Sequence, residues 1–467
     1  MMYRTVPKVE VIVVQSLCNQ LFTYVPVYSL LVRRIMLNRL RLLLMPLAAA
    51  ALMAAPPPPG AVPTRIILTW TGDPSTTQAV TWRTDVPRQS PQVQVAKLDA
   101  DPAFEKTATA VPGTAATEDL GNGQSVNHYT GNLQGLEPDT KYSYRVGDGQ
   151  VWSEWNVFHT AAAKPEPFRF IYVGDAQNSI KSLWSRAIRT AYATAPDARF
   201  MVHAGDLVAE GWDDRLWGEW CDALGFIAAT IPSVPVVGNH DLHRPPVPPG
   251  VGKPEPVLTV APPWRWHFGL PANGPDLEAM PSQSYYMDYQ GVRFIVLDVN
   301  AFAFENSEPA TAAHVREQEL LWLNKILSHN PNRWTIVAQH QGIYSIAQDR
   351  DYAKMRAALA PLYEKYGVAL VLQGHDHSYA RTYKIAGGKI VDLSAPGVIY
   401  AISVSGPKMY QTHQANRELM ARIIEHKQLF QVIEVAPDRL EYKAYSIDGA
   451  VADQFELRKD SLRTSLK

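Results

Sequence analysis

Five short segments of this chain place possible metal ligands directly after an apolar run. They are FIYVGDAQ (170–177), MVHAGDLV (201–208), VPVVGNHD (234–241), TIVAQHQGIY (335–344) and VLQGHDHSYAR (371–381). A run of branched and aromatic residues is typical of a buried strand, and in four of the five a glycine permits a sharp turn before the polar residue. Because ligands bind outside the carboxyl ends of strands in open α/β sheets, these polar side chains should converge. The predicted set is Asp175, Asp206, Asn239, His340, His375 and His377.

This set of side chains contains two carboxylates, one amide oxygen and three imidazoles, which exceeds the four ligands of a tetrahedral metal. It suits two hard-to-borderline cations that share a carboxylate. A single Gly-Asp usually marks an ordinary turn, and a single His-x-His is usually a solvated pair. The prediction of a two-metal site therefore depends on all five segments occurring together in this order.

The five segments resemble the motif series of the calcineurin-like metallophosphoesterases, which runs GD, GD, GNH(D/E), H and GHxH. The resemblance extends from about Pro167 to the end of the chain. HQGIY (340–344) is similar to the H-x-P-x-Y of the purple acid phosphatase branch, with Gly342 where proline is usual, and HDHSYAR (375–381) is similar to its H-x-H-x-Y-x-R. The family fold is a four-layer α/β/β/α sandwich, with two β-sheets face to face and helices outside.

The resemblance also implies a role for each ligand. Asp206 holds the position of the aspartate that bridges both metals. The other ligands divide into Asp175 and His377 on metal one, and Asn239, His340 and His375 on metal two. In the family, the binuclear centre activates a hydroxide that attacks phosphorus directly. The cofactors implied are two ions of iron, zinc or manganese.

Three further residues match catalytic or neighbouring positions of the family. His240 would donate a proton to the leaving group or stabilise its charge. Asp241 would orient the His240 imidazole, by analogy with carboxylate–histidine pairs. Arg381 would either bind the phosphate or act as a structural residue behind the site.

Two positions depart from the family pattern on the side of metal one. Purple acid phosphatases carry a tyrosine three residues after the second aspartate, where this chain has Ala209. The wider family often has Asp-x-His in the first motif, where this chain has Gln177. The Gln177 amide oxygen would serve as a weaker, neutral ligand, or its amide would bond only a metal-bound water. Loss of the phenolate weakens the preference for ferric iron.

The 467 residues are 46% hydrophobic and 19% charged, with a net charge of −1, which is an ordinary globular balance. No basic stretch suggests a nucleic-acid partner or a stable membrane partner, and the oligomeric state is left open. The two cysteines, Cys18 and Cys221, do not form a disulfide framework.

Residues 61–163 are predicted to form an all-β domain similar to fibronectin type III domains. LEPDTKYSYR (136–145) is similar to the corner in which a tyrosine hydroxyl bonds nearby backbone, and Trp70 and Trp82 are predicted as core aromatics. Residues 167–460 are predicted as the catalytic domain. Apolar spacing in this domain predicts helices over 180–193, 215–229, 317–327 and 352–366, and two strands around residues 290–291. The long proline-rich segment 242–270 is predicted as a loop forming one rim of the site.

Residues 1–60 are predicted to lie outside the fold. A short basic stretch at 36–41 precedes an alanine-rich apolar segment and four prolines, a pattern typical of a secretory signal. We therefore expect translation to start at Met36 and the protein to be secreted or periplasmic. The alternative is a membrane anchor over residues 9–32, which several polar residues make a poor spanning helix.

The expected function is hydrolysis of small phosphate monoesters. Phosphodiester hydrolysis, for example of nucleotides or phospholipid headgroups, is the chemical alternative because the same metal pair supports both reactions. A non-catalytic exported binding protein is the alternative from a different class, against which the complete ligand set and His240 argue.

Overall fold

The computed structural model describes residues 60–120, 125–244, 257–304 and 309–459. The predicted leader and the start at Met36 lie outside these residues. Within them, none of the helices combines the length and the apolar character needed to cross a membrane.

The first domain is an all-β sandwich. Its strands are β1 (Thr64–Thr69), β2 (Gln78–Thr84), β3 (Gln92–Lys97), β4 (Thr109–Asp119), β5 (Ser125–Leu133), β6 (Lys141–Gly147) and β7 (Asn156–His159). Strands β1, β2 and β5 form one face, and β3, β6 and β7 form the other. Strand β4 pairs with β3 through its first residues and with β5 through the remainder, so it joins the two faces.

The aromatic residues of this domain confirm the sequence prediction. Trp82 and Trp70 are both buried, although Trp70 packs against Phe200 and Tyr289 of the second domain. The Tyr142 hydroxyl accepts a hydrogen bond of 2.9 Å from the backbone N–H of Glu137, which is the predicted corner contact.

The second domain alternates strands and helices. Its strands are β8 (Phe168–Val173), β9 (Met201–His203), β10 (Ser233–Pro235), β11 (Tyr285–Tyr289), β12 (Val292–Leu297), β13 (Trp334–Gln339), β14 (Leu370–Gln373), β15 (Tyr379–Thr382), β16 (Ile385–Ala386), β17 (Lys389–Ile390), β18 (Ile399–Ile402), β19 (Met420–Ile424), β20 (Leu429–Val435), β21 (Arg439–Ser446) and β22 (Val451–Arg458). Its helices are α1 (Ser185–Thr194), α2 (Asp214–Leu224), α3 (Pro262–His267), α4 (Asn300–Ala303), α5 (Pro309–Ser328) and α6 (Ala353–Lys365).

The strands form two sheets that pack face to face, with helices on both outer sides. One sheet has the order β10-β9-β8-β20-β21-β22 and the other β11-β12-β13-β14-β18-β15-β19. Side chains alternate along each strand, so Phe170 of β8 and Phe294 of β12 meet in the core between the sheets. Ile171 instead faces α1 and α2, and Ile295 faces α5 and α6. The predicted α/β/β/α architecture is therefore confirmed.

Two local predictions need correction. The helix expected over 180–193 begins with a π turn at Ile180–Trp184, whose wider turn leaves Leu183 39% exposed instead of in the core with Trp184. Within the segment 242–270, α3 replaces part of the predicted loop and buries Trp264 beside Phe268. Residues 245–256 of that segment lie outside the described chain.

Candidate metal centre

The strand-end motifs converge because the strands that precede them run parallel. Strands β8, β9 and β10 pair in parallel, and so do β12, β13, β14 and β18. All six predicted ligands follow these strands and are buried: Asp175, Asp206, Asn239, His340, His375 and His377.

Four of the ligands have backbone torsions in the left-handed region. The φ angles are 38° at Asp175, 51° at Asp206, 75° at His375 and 51° at His377. Such angles are uncommon for residues other than glycine, and they cluster at functional sites where the surrounding fold maintains them.

The motif glycines serve mainly for close packing, which corrects the expectation of a sharp turn at each. Gly205 alone among these four glycines has a left-handed φ, of 89°. At Gly238, a Cβ would lie 2.1 Å from the backbone nitrogen of Asp206. The absence of a side chain there lets the loop that carries Asn239 approach the loop that carries Asp206.

Three ligands form a compact triad around His340. Its Nε2 lies 3.2 Å from Asp206 Oδ2 and 3.1 Å from His375 Nδ1. In a tetrahedral zinc site with bonds of about 2.0–2.1 Å, ligand atoms lie about 3.3 Å apart. One ligand atom from each residue of the triad lies within 4.8 Å of the others, so these residues could hold one metal ion.

Asp206 also faces a second group of polar side chains. The Gln177 amide nitrogen donates to Asp206 Oδ2 at 2.9 Å and lies 3.1 Å from His377 Nε2. Asp175 approaches from the side, where its Oδ2 accepts a 2.7 Å hydrogen bond from the backbone N–H of His375. The Asp206 carboxylate therefore contacts both groups, as a shared ligand must.

The unsatisfied atoms of the site fit a cation. Within the described chain, buried side-chain atoms without a hydrogen-bond partner include Asp175 Oδ1 and Asn239 Oδ1. A buried polar atom without a partner costs about 1–3 kcal/mol, so two such oxygens on neighbouring ligand loops require a common explanation. A metal ligated by oxygen and nitrogen provides it.

Gln177 presents its amide nitrogen, not its oxygen, to Asp206 and His377. A ligand role for its oxygen requires a half-turn of the amide, which exchanges the two atoms in place. In the orientation that the structure has, Gln177 donates a hydrogen bond to Asp206, and the alternative that its amide bonds only a metal-bound water stays a prediction.

The charges of the site favour positive charge at its centre. Burial raises the pKa of Asp175 to about 8, with the negative charge of Asp206 contributing. Burial would lower the pKa of His340, but the carboxylates of Asp206 and Asp175 outweigh it and raise that pKa to about 9. Burial would raise the pKa of Asp206, but the positive charge of His340 and the neighbouring histidines outweighs it and holds that pKa well below its usual range, so the Asp206 carboxylate stabilises a cation next to His340.

Two supporting residues were not found from the sequence. The Tyr352 hydroxyl shares a 2.8 Å hydrogen bond with His375 Nε2, which leaves His375 Nδ1 toward the triad. Asp298 directly follows strand β12, and its carboxylate accepts hydrogen bonds from the backbone and side-chain nitrogens of Asn300. The Asn300 side chain in turn donates to the carbonyl of Val237, which lies two residues before Asn239. Asp298 shares the signal of the five motifs, an acid after an apolar run, whereas nothing local marks Tyr352.

His240 is placed by two contacts. Its backbone N–H donates to Asp206 Oδ1 at 2.9 Å, and its Nδ1 donates to the Ala209 carbonyl at 2.7 Å. The prediction that Asp241 orients this ring is wrong. The buried Asp241 carboxylate instead accepts from the backbone N–H groups of Leu207 and Gly238, because it faces into the turn and fixes the loops of Asp206 and Asn239.

Arg381 makes structural contacts. Its guanidinium forms two hydrogen bonds with Asp453 of β22, of 2.6 and 2.9 Å, and lies over the Phe455 ring. The Tyr379 hydroxyl donates to the same carboxylate. These contacts link the two sheets and favour the structural alternative for Arg381 over phosphate binding.

The sequence and structure of the chain are similar to those of known proteins. Residues 63–160 match the model of the purple acid phosphatase N-terminal domain, and residues 168–379 match the model of the calcineurin-like phosphoesterases. An uncharacterized protein of Mycobacterium tuberculosis is 24% identical over 348 residues, covering 69% of this chain and 62% of the relative. The probable inactive purple acid phosphatase 27 of Arabidopsis thaliana is 25% identical over 293 residues, covering 56% of this chain and 45% of the relative.

The chain thus spans about half to three-fifths of the length of these curated relatives. Among solved structures, a purple acid phosphatase from yellow lupin (Lupinus luteus) seeds superposes with a TM-score of 0.70. The match has 18% sequence identity and covers 86% of this chain and 75% of the lupin chain. At this identity the superposition shows the fold alone.

Proposed function

We propose that this chain, which belongs to the purple acid phosphatase-like calcineurin-type metallophosphoesterases, hydrolyses small phosphate monoesters with two bound metal ions. The observation that carries the proposal is the buried triad of Asp206, His340 and His375, in which the Asp206 carboxylate also faces Gln177 and His377. Two cations bound there would supply Lewis acidity, lower the pKa of water and neutralise charge on phosphate oxygens.

The residues of this chain have two roles in the proposed reaction, which are metal binding and proton transfer. Asp175, Asp206 and His377 would hold one ion, and Asp206, Asn239, His340 and His375 the other. His340 is fixed for this role because its Nδ1 donates to the Ala204 carbonyl at 2.7 Å, which leaves Nε2 as the ligand atom.

His240 is the proposed general acid. As hydroxide attacks phosphorus, a new P–O bond forms and the ester P–O bond breaks, and the alkoxide that leaves takes a proton from the His240 imidazolium. Since His240 Nδ1 is bonded to the Ala209 carbonyl, the proton comes from Nε2. The backbone contact between His240 and Asp206 places the imidazole next to the shared ligand.

The Asp206→Ala variant tests the proposal. It should lower bound metal and abolish turnover, and Asp206→Asn should behave alike while preserving shape. Asp438→Ala, at an exposed aspartate, is the matched control and should keep full activity. A parallel panel of monoesters and diesters separates the proposed reaction from phosphodiester hydrolysis. Full activity of Asp206→Ala, or of thoroughly chelated protein, would contradict the proposal.

A further inference from the structure

A short segment after strand β18, residues 405–410, bridges two of the ligand motifs. At its start, the Ser405 N–H donates to the Gly174 carbonyl at 3.0 Å, and the Gln428 side chain donates to the Ser405 carbonyl at 2.7 Å. Gly406 packs so closely that a Cβ would lie 2.1 Å from the Asp175 carbonyl oxygen. This end of the segment is therefore fixed to the first motif.

The other end of the segment is fixed to the last motif. The Tyr410 N–H donates to the His377 carbonyl at 3.0 Å, and the Ser378 hydroxyl donates to the Tyr410 carbonyl at 2.8 Å. The Tyr410 ring lies against the His377 imidazole, with 4.7 Å between ring centroids. Residues between these anchors are consequently held at the side of the site that carries Asp175 and His377.

Lys408 lies between the two anchors. Its Nζ is 5.3 Å from the centroid of the Tyr410 ring, and the side chain is half-buried. The guanidinium of Arg350 lies 5.4 Å from the same centroid but pairs with Asp376 at 3.4 Å. Within the described chain, Lys408 forms no hydrogen bond or ion pair, so its charge is available to a ligand. Because the Tyr410 ring contacts both His377 and the Lys408 ammonium, that ammonium lies on the His377 side of the site.

We propose that Lys408 binds a second anionic group of the substrate, so that the site prefers phosphate esters that carry a carboxylate or a second phosphate close to the phosphoryl group. This inference rests on the proposed function, which assigns the phosphoryl group to the metal centre. A half-buried ammonium without a carboxylate partner pairs favourably with an anion, because charge-assisted hydrogen bonds strengthen when water is partly excluded.

Binding of two non-hydrolysable ligands to the metal-loaded protein tests the role of Lys408. Phosphonoacetate and ethylphosphonate share the phosphonate and differ by a carboxylate, and calorimetry measures both affinities. Lys408→Gln should weaken phosphonoacetate about tenfold, the loss expected for a charge-assisted hydrogen bond, and leave ethylphosphonate within about twofold. Lys408→Arg should restore most of the affinity. Lys389→Gln, at an exposed lysine on strand β17, is the matched control and should change neither ligand.

Methylenediphosphonate identifies which anion the site prefers. A larger loss for this ligand than for phosphonoacetate in Lys408→Gln supports a second phosphate, and a smaller loss supports a carboxylate. Equal weakening of ethylphosphonate and phosphonoacetate, or weakening of neither, would overturn the proposal.

The binding experiment does not depend on turnover. If the wild-type protein discriminates between the two phosphonates through Lys408 but hydrolyses neither ethyl phosphate nor 2-phosphoglycolate, the hydrolase proposal fails and the Lys408 assignment stands. If it hydrolyses both esters equally well and binds both phosphonates equally well, the Lys408 assignment fails alone.

Discussion

The two sides of the candidate metal centre are built from the same kind of strand-end loop but are supported differently. We call Asn239, His340 and His375 the imidazole side, and Asp175, Gln177 and His377 the carboxylate side. On the imidazole side, the second nitrogen of each ring is engaged, through the Ala204 carbonyl for His340 and the Tyr352 hydroxyl for His375. On the carboxylate side, His377 Nδ1 has no partner among the described residues, and Gln177 is neutral.

This difference implies that the imidazole side is held in its metal-binding geometry in advance, whereas the carboxylate side is less constrained. A hydrogen bond to the nitrogen that does not bind the metal fixes the tautomer and orientation of an imidazole ligand, so the imidazole side is ready to bind a borderline cation. Among the described residues, no hydrogen bond of this kind supports the His377 imidazole on the carboxylate side, and that side has Ala209 where the family has tyrosine. We therefore expect the carboxylate side to accept divalent iron, manganese or zinc as well as ferric iron.

The largest effect that sharpens this comparison is expected for His240→Ala. His240 follows Asn239 on the imidazole side but is assigned to proton transfer, so the variant should keep its metal and lose about 10²–10⁴ in rate. The loss should shrink for esters with good leaving groups, because these need no proton. Steady-state rates on alkyl and 4-nitrophenyl phosphates, with metal content measured in parallel, check it.

His243→Ala is a control in the same loop and should keep its rate. The backbone N–H of His243 donates to the Thr259 carbonyl, and its side chain has no proposed catalytic role. An equal rate loss for all leaving groups in His240→Ala would show that the substitution misplaces Asn239 instead of removing an acid. In that case the imidazole side would be less rigid than its hydrogen bonds imply.

Tyr352→Phe should have a smaller effect, confined to metal binding on the imidazole side. Loss of the hydrogen-bond partner of a metal-binding imidazole typically lowers metal affinity about 10- to 100-fold, and competition with a chelator measures that affinity. Tyr366→Phe is the matched control, because the Tyr366 hydroxyl bonds Asn324 at the surface. Unchanged affinity in Tyr352→Phe would remove the asymmetry between the two sides.

The candidate ligands that the structure brings together could be identified from the sequence because their signal is local. An apolar run followed by an acid, an amide or histidine can be recognised from a few consecutive residues. The parallel sheet then brings the carboxyl ends of these runs to the same edge. The same locality explains the prediction of the Tyr142 corner. Asp298 gives the same signal after β12 and was missed because it matches no motif of the family.

Contacts between distant segments could not be predicted from local pattern. Arg381 and Asp453 are 72 residues apart, and Tyr352 and His375 are 23 apart, so neither pair has a sequence signature. Asp241 was misassigned because proximity in sequence to His240 suggested contact, whereas its carboxylate turns toward the backbone of Leu207. The π turn that exposes Leu183 likewise depends on packing against the rest of the domain.

The last prediction concerns colour and tests the carboxylate side. The purple of the namesake family comes from charge transfer between a tyrosine phenolate and ferric iron, and Ala209 stands at that position. The tyrosines of the two other matching motifs are engaged elsewhere, because Tyr344 packs against Tyr400 and the Tyr379 hydroxyl donates to Asp453. We therefore expect purified protein to show no strong visible band, even when loaded with iron.

Absorption spectra of iron-loaded wild-type protein and Ala209→Tyr measure this expectation. The variant places a phenol three residues after Asp206 and is expected to create a band, because the Ala209 carbonyl lies close enough to the site to bond His240. An intense band in the unmodified protein would show that another phenolate reaches the metal. Tyr410, whose ring packs against His377, is the residue to test first. Loss of the band in Tyr410→Phe would then assign the missing anionic ligand to the 405–410 segment and make the carboxylate side as preorganised as the imidazole side.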